Sequence, residues 1–309
     1  MADGGDREAH ALPTGPAPRT VGSQRQPAGS HPQAAAFPYD IVLSDVDGTL
    51  LRPTHALSAR TIAAARALHE AGVPFALATG RMPSGLAELT AELGVPCWRI
   101  CYSGAFVTDD AGTPIVSETI PLEEAREVIA VLRAQWPHLA PSYFAGPHWY
   151  AHDPGAPGIV RESSIVRAIP EQASFEDLLE AGIAPNKLFC NCWGDTGRSE
   201  EIRRTLAARF PQLTIIRSTS GALVEIVRSD VSKATGAAAL LAHLGLSMER
   251  ALAFGDDEND VPLLGAVGHG VAMGNAAPRV RRIAREVAPS NAEDGLAQVL
   301  EGLLAASRP

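Results

Sequence analysis

Residues 39–51 read YDIVLSDVDGTLL, a short apolar run that ends abruptly in two aspartates and a Gly-Thr turn. An apolar run without polar alternation is typical of a parallel strand that is buried on both faces. Asp45 and Asp47 follow it directly, so we expect them at the carboxyl end of that strand. In an open parallel sheet, this edge forms the ligand crevice. The stretch therefore predicts an α/β fold with a site beyond its first strand.

The segments on either side of this strand alternate between helical and strand-like patterns. Alternating short strands and helices predict an α/β fold with a Rossmann-like parallel sheet, covered by helices on both faces and joined by right-handed crossovers. The predicted helices are 58–71, 83–93, 232–244, 259–264, 277–285 and 293–306, and the further strands are 73–78, 97–102, 251–254, 270–273 and one near 287.

The middle of the chain has a different sequence pattern. Between 106 and 227, strand-like runs are separated by hairpin signals at 109–112 and 145–147. We interpret 106–227 as an inserted α+β cap domain, and 37–105 with 228–309 as the core. Residues 1–36 are rich in Gly, Pro, Ser and Gln and have no apolar core, which predicts a disordered tail and no secretory signal.

Composition narrows the classes of partner. The 309 residues carry a formal net charge of −9, which disfavours nonspecific binding to nucleic acid or to an anionic membrane. No uncharged stretch is apolar for long enough to span a bilayer. We expect the four cysteines to be buried thiols on strands, which suggests a reducing cytoplasm; they are Cys97, Cys101, Cys190 and Cys192.

Polar residues cluster where the predicted strands end. The segments are SDVDGTL at 44–50, TGR at 79–81, Lys233 at the start of a helix, and GDDEND at 255–260. Several carboxylates meeting in one crevice would repel one another unless a cation lay among them. A hard divalent ion with oxygen ligands, which we expect to be Mg2+, resolves this repulsion.

These four segments, in this order, resemble motifs I to IV of the haloacid dehalogenase superfamily of phosphohydrolases. The insertion before Lys233, with VAMGNA at 271–276 and SNAEDGLA at 290–297, resembles the Cof-type branch with its large α+β cap. The resemblance covers about residues 38–303. It implies a Mg2+-dependent phosphatase acting on small phosphorylated metabolites such as sugar phosphates or phosphorylated cofactors.

The resemblance also implies roles for the aspartates. Asp45 resembles the family nucleophile, and a rigid strand end is suited to aiming a carboxylate at phosphorus. Asp47 resembles the general acid and base, with its backbone carbonyl as a metal ligand. Asp45 and Asp256 complete the direct metal ligands, and Asp260 orients them or binds through a water.

The remaining predicted site residues contact the phosphoryl group. Thr79 offers a hydroxyl, Gly80 and Val46 offer backbone N–H groups, and Lys233 offers a compact positive charge. Asn259 resembles a phosphate contact as well. Each residue taken alone also has an ordinary structural role, such as a turn former or a helix cap.

Other residues receive structural interpretations. We assign Asn275 and Asn291 to helix capping, and Lys187 to a solvated strand position in the cap. Arg81 either contacts the substrate or the cap, or forms a structural salt bridge. Most aromatic residues of the insertion are expected to fill its core, and His152 and Trp149 are candidates for reading the leaving group.

Two other functions remain open from the sequence. The first is a phosphotransferase or phosphomutase, since capped relatives use the same core. The second is a catalytically silent protein that binds a phosphorylated ligand. The expected assembly is a monomer or a homodimer in the cytoplasm.

Overall fold

The computed structural model describes residues 37–166, 168–192, 195–217 and 223–307. The predicted tail, 1–36, lies outside the described residues. The strands are β1 (Ile41–Ser44), β2 (Phe75–Ala78), β3 (Cys97–Cys101), β4 (Phe106–Thr108), β5 (Pro114–Ser117), β6 (Pro141–Ala145), β7 (His148–Ala151), β8 (Glu171–Gln172), β9 (Lys187–Asn191), β10 (Leu213–Arg217), β11 (Leu223–Arg228), β12 (Ala251–Gly255), β13 (His269–Ala272) and β14 (Glu286–Val287). The helices are α1 (Ala59–Glu70), α2 (Ala87–Leu93), α3 (Leu122–Gln135), α4 (Pro157–Val166), α5 (Phe175–Glu180), α6 (Thr196–Arg209), α7 (Lys233–Leu244), α8 (Val261–Ala266), α9 (Pro278–Ile283) and α10 (Gly295–Ala306).

The first sheet has the order β14-β13-β12-β1-β2-β3-β4-β5. From β14 to β3 all pairs are parallel, and β1 lies between β12 and β2. At its last residue, β1 pairs Ser44 with Phe254 on one side and Leu77 on the other. The three strands therefore end at one level, which brings the residues that follow them to one place. The predicted fold class is confirmed.

The two faces of the first sheet are covered by different helices, because successive side chains of a strand point to opposite faces. On β1, Val42 belongs to the apolar cluster that includes α1, α2 and α10. Its neighbours Ile41 and Leu43 belong to the cluster that includes α7, α8 and α9. Among the described residues, no helix combines the length and apolar character needed to cross a bilayer.

The second sheet, in the order β10-β11-β9-β6-β7-β8, is antiparallel apart from the β7–β8 pair. One face is packed by α3, α5 and α6 and includes Leu188, Cys190 and Ile226. The opposite face includes Phe144 and Phe189, which share a cluster with residues of the first sheet. The second sheet therefore turns one face toward helices and the other toward the first sheet.

The boundary predicted at residue 106 is wrong. β4 pairs antiparallel with β3 and β5 pairs with β4, so both strands extend the first sheet. The hairpin signal at 109–112 marks a real turn, but a turn signal is the same in whichever sheet the hairpin joins. The insertion therefore starts after Ser117. β11, the last strand of the second sheet along the chain, ends at Arg228.

The four cysteines are free thiols and all are buried, as the sequence predicts. Burial raises the pKa of Cys97 and of Cys101 to about 12 and that of Cys192 to about 11. Thiols with such a pKa are protonated at neutral pH and behave as small apolar groups.

Candidate active site

The first site residue follows β1 without a linker. Asp45 is buried, and its backbone N–H donates to the carbonyl of Phe254 at 3.0 Å, which continues the β1–β12 ladder by one residue. The chain then makes a turn over Val46–Leu50, in which Gly48 has a φ of +85°. The side chain of Val46 is buried in the core. Asp45 therefore stands on rigid backbone at the sheet edge.

Lys233 is the second component, and it is almost fully buried. Ser232 caps α7 by accepting from the N–H of Thr235, so Lys233 occupies the first helical position. Its Nζ lies 2.5 Å from Asp45 Oδ1 and 2.6 Å from Asp260 Oδ1. Burial alone would lower the pKa of Lys233, but the carboxylates of Asp260 and Asp45 outweigh it and raise the pKa above its ordinary value. The lysine is therefore held as a cation beside the predicted nucleophile.

Asp260 is fully buried, and both of its oxygens accept hydrogen bonds. Oδ1 accepts from Lys233, and Oδ2 accepts from the N–H groups of Asp256 at 2.9 Å and Asp257 at 3.0 Å. These contacts fix the backbone that carries Asp256. With both oxygens engaged, Asp260 is better suited to orienting the site than to binding a metal directly.

Asp256, which follows β12, is the third carboxylate of the cluster. Oxygen atoms of Asp45, Asp256 and Asp260 all lie within 4.8 Å of one another. The hydroxyl of Thr49 donates to Asp256 Oδ1 at 2.8 Å. A Cβ on Gly48 would come within 2.2 Å of Asp256 Oδ2, so only glycine lets the turn approach this closely.

The charge of this cluster fits a hard cation. Burial raises the pKa of Asp256 to about 6, despite the hydrogen bond from Thr49, and burial raises the pKa of Asp45 well above its ordinary range despite Lys233. Carboxylates that are costly to ionise together become compatible once a divalent ion neutralises them. The donor set, all carboxylate oxygen, is the kind that Mg2+ prefers.

Asp47 lies outside this cluster and is partly exposed. Its carboxylate accepts two hydrogen bonds from Arg81, at 2.7 Å to Nε and 2.6 Å to Nη2, and His55 Nδ1 lies 3.5 Å away. Of the two roles considered for Arg81, the structure shows an ion pair, and its partner is the predicted acid and base. The bidentate pair fixes the orientation of the Asp47 carboxylate.

The loop after β2 carries the predicted phosphate contacts. Thr79 donates its N–H to the carbonyl of Ile100 at 2.8 Å and accepts from the N–H of Ser103 at 2.9 Å, so it is held firmly against β3. The hydroxyl of Thr79 accepts from the N–H of Arg81 at 3.2 Å. Asn259 has a buried Oδ1 with no hydrogen-bond partner in the described part of the chain. This unpaired oxygen accepts hydrogen bonds, whereas a phosphoryl oxygen needs a donor, so the predicted phosphate contact of Asn259 stays a prediction.

Two asparagines that we assigned to capping belong to the site instead. Asn275 donates to the carbonyl of Gly48 at 2.8 Å, and its Nδ2 lies 3.4 Å from Asp256 Oδ2. Asn291 donates its N–H to Asn275 Oδ1 at 3.0 Å and its Nδ2 to the carbonyl of Leu51 at 2.8 Å. Both follow strand ends, so applying the strand-end rule to β13 and β14 would have found them.

The interpretation of Lys187 as a solvated residue is also wrong. Its side chain is buried, and Nζ donates to the carbonyl of Gly80 at 2.8 Å. It lies on β9 of the second sheet, so this contact crosses from the insertion to the phosphate loop. Local sequence gave no sign of it, because the partner is a backbone atom of a distant segment.

A sequence model of the haloacid dehalogenase-like hydrolases matches residues 42–300. This chain belongs to that family. A Haemophilus influenzae protein, provisionally named a phosphatase, is 32% identical over 263 residues, which cover 85% of this chain and 97% of the relative. An HMP-PP phosphatase of Serratia proteamaculans is 29% identical over 255 residues, covering 79% of this chain and 87% of the relative.

Among solved structures, a superfamily phosphatase from Bacteroides thetaiotaomicron superposes with a TM-score of 0.72 at 26% identity, covering 89% of this chain and 98% of that one. The family resemblance drawn from the four motifs is confirmed, as is the assignment to the phosphatases. This protein is a phosphate ester hydrolase.

Proposed function

We propose that this phosphatase hydrolyses small phosphomonoesters, with Mg2+, through a phosphoaspartyl intermediate. The observation that supports it most directly is the buried Lys233, which bridges Asp45 and Asp260 while Asp256 lies within 4.8 Å of both. A bridged, desolvated carboxylate at a strand end is suited to attack an anionic phosphoryl group, since the ammonium reduces their repulsion.

Asp45 and Asp256, with the backbone carbonyl of Asp47, would hold Mg2+, and Asp260 would orient them. The ion would supply charge neutralisation for the phosphoryl oxygens and for the nucleophile. The structural support is the all-oxygen donor set and the close approach of the turn at Gly48 to Asp256, which a residue with a Cβ would prevent.

Two steps account for hydrolysis. First, an oxygen of Asp45 bonds to phosphorus, the bond from phosphorus to the leaving oxygen breaks, and Asp47 protonates that oxygen. Second, Asp47 takes a proton from water as the water oxygen bonds to phosphorus, and the bond to Asp45 breaks, which releases inorganic phosphate. Arg81 binds the carboxylate form of Asp47, the form that activates water.

The remaining residues orient the phosphoryl group. Thr79 would donate its hydroxyl proton, because the N–H of Arg81 already occupies a lone pair of that oxygen. Gly80 and Val46 would contribute N–H groups, Asn259 its amide and Lys233 its charge. These neutral and cationic donors surround the group without adding negative charge.

The insertion, residues 118–228, would act as a cap that excludes water and selects the leaving group. By family resemblance the candidates are sugar phosphates and phosphorylated cofactors, and the relatives named HMP-PP phosphatases add HMP-PP to the panel. We further propose that the enzyme works in the cytoplasm, as a monomer or homodimer, without nucleic acid or membrane. The acidic net charge and the buried thiols support this.

A panel of phosphate esters, assayed for free phosphate with and without Mg2+, tests the proposal. Asp45→Asn provides the control, because an amide cannot form the acyl phosphate, and it should abolish turnover. Glu258→Gln changes an exposed carboxylate of the same loop and should retain activity. Turnover that survives exhaustive EDTA would exclude the metal. Transfer of phosphate to a sugar hydroxyl, with little hydrolysis, would indicate a phosphotransferase.

A further inference from the structure

We propose that Lys187 is a positioning residue that holds the phosphate-binding loop in its working shape from the opposite sheet. The inference rests on the proposed function, because it takes Thr79 and Gly80 as the phosphate contacts. It adds a residue of the insertion to a site whose other members lie beyond the strand ends of the first sheet or at the start of α7.

The contacts of Lys187 do not suggest that its role is to stabilise the fold. The side chain is only 5% exposed, its closest ion-pair partner is Glu225 at 3.5 Å, and its single hydrogen bond within the described residues is to Gly80. The ammonium also faces the rings of Tyr102, Phe144 and Phe189 at 5.1–5.4 Å, and it is near enough to Glu162 to oppose the rise in the pKa of that carboxyl. A buried cation with so few partners costs free energy that an apolar side chain of similar shape would avoid.

The hydrogen bond from Lys187 is made to the peptide group between Gly80 and Arg81, and the N–H of the same peptide group contacts Thr79. The 80–81 peptide is planar and trans, so the carbonyl of Gly80 and the N–H of Arg81 point in opposite directions. Lys187 binds the carbonyl, and the N–H donates to the hydroxyl of Thr79 at 3.2 Å. Holding one end of the peptide therefore fixes the other. The Thr79 hydroxyl keeps its proton free for a phosphoryl oxygen.

The preceding residue fixes the reach of Lys187. Asn186 is almost fully buried, and its Nδ2 lies within 2.8–3.2 Å of Glu118 O, Ser117 Oγ and Ala105 O, while its Oδ1 accepts from the N–H of Gly146. The start of β9 is thereby tied to the end of the β4–β5 hairpin. Lys187 therefore reaches Gly80 from a backbone position that these hydrogen bonds fix. In this way the position of the insertion can set the shape of the phosphate-binding loop.

The test compares Lys187→Met with Tyr102→Phe in the full-length protein. The methionine variant keeps the apolar stem and removes the donor. The Tyr102 hydroxyl makes another hydrogen bond between the two sheets, to the carbonyl of Gly146 at 2.9 Å, but does not touch the loop. Phenylalanine retains the ring beside Lys187, so the second variant is a matched control for contact between the sheets.

Lys187→Met should raise the inhibition constant of inorganic phosphate and lower kcat, each by about 10-fold, since a misplaced contact weakens binding and alignment together. The factor should be the same for small and large esters, because every ester presents the same phosphoryl group. Tyr102→Phe should stay within about threefold, the effect of a modest net hydrogen bond. Hydrogen–deuterium exchange of the 79–86 region should accelerate in Lys187→Met alone.

Three outcomes would overturn the proposal. Unchanged phosphate inhibition and unchanged exchange would leave Lys187 with a packing role. A lower kcat with an unchanged phosphate constant would indicate partial unfolding. Effects that differ from ester to ester would show that Lys187 reads the leaving group. If the wild type hydrolyses no ester but exchange still accelerates, the proposed function fails while the coupling of Lys187 to the loop stands.

Discussion

The two lysines of the chain lie in two regions that treat a buried cation differently. At the edge of the first sheet, Lys233 contacts two carboxylates at 2.5 and 2.6 Å. On the face of the second sheet, Lys187 contacts a backbone carbonyl, three aromatic rings and one carboxylate at 3.5 Å. Two close carboxylates neutralise the charge of Lys233, whereas the charge of Lys187 has weaker compensation from its surroundings.

The difference follows from sheet geometry. Parallel strands bring their carboxyl ends to one edge, so charged residues that follow different strands meet there. An antiparallel sheet presents side chains over a face, where alternation places Lys187, Phe189 and Asn191 on one side of β9. We therefore expect the first region to carry the chemistry and the second to position and select.

The largest expected effect tests the chemistry of the first region. Asp47→Asn keeps the backbone carbonyl but removes the acid and base, so turnover should fall by about 10² to 10⁴. The loss in the first step should shrink for an aryl phosphate, whose leaving group needs protonation least, giving a burst followed by slow turnover. Stopped-flow kinetics measures both phases.

A loss of Mg2+ binding in Asp47→Asn, or equal slowing of good and poor leaving groups without a burst, would make Asp47 a structural residue. Glu258→Gln, an exposed carboxylate paired with Arg279, serves as the control.

The next effect compares the lysines directly. In EDTA, Lys233→Met should lower the free energy of unfolding by about 3–5 kcal/mol, because it leaves buried carboxylates without a partner. Lys187→Met should change it by less than about 1 kcal/mol, since an apolar replacement of a buried cation is often neutral. Glu225 also remains partly hydrated, at 21% side-chain exposure.

Urea unfolding measures both free energies. Equal destabilisation by the two variants would mean that Lys187 stabilises the fold, and the contrast between the regions would not hold.

A smaller effect is expected at Asn275, which contacts the backbone of Gly48 and the side chain of the predicted metal ligand Asp256. Asn275→Ala removes the hydrogen bond to the carbonyl of Gly48 and the contact with Asp256, so the apparent affinity for Mg2+ should fall by about 10-fold. A Mg2+ titration of activity and a calorimetric titration should agree. Gln298→Ala, which loses only a contact with the carbonyl of Glu293, should leave the affinity unchanged. An unaltered affinity in Asn275→Ala would remove the asparagine from the site.

The smallest effect concerns selection by the second region. Glu162 lies on α4 with Oε2 3.4 Å from Asn191, and burial raises its pKa although Lys187 opposes the shift. Glu162→Gln should change the ratio of kcat/KM between two natural esters by about threefold to tenfold, but leave a small aryl phosphate almost unchanged. Glu171→Gln, an exposed cap carboxylate paired with His148, is the control. One common factor for all esters would contradict a role in selection.

Much of the first region was predictable because its information is local. An apolar run, a strand end and the residues directly after it occupy a few consecutive positions, and parallel pairing brings such ends together. Asp45, Asp256, Asp260 and Lys233 accordingly meet as expected. The roles of these residues in catalysis stay predictions. Trp149, offered as a residue that reads the leaving group, is buried and stacked on Phe144, on the face of the second sheet that turns toward the first sheet and not in the insertion's own core.

The sequence by itself determined the fold class, the family and the edge of the sheet where the site lies. Tertiary structure alone decided that β4 and β5 extend the first sheet, that Asn275 and Asn291 brace the Gly48 turn, and that Lys187 crosses between the sheets. The physical reason is the range of the interaction. A strand, a turn or a motif is encoded by adjacent residues, whereas the partner of a hairpin edge or of a buried ammonium is chosen by segments far apart in the chain.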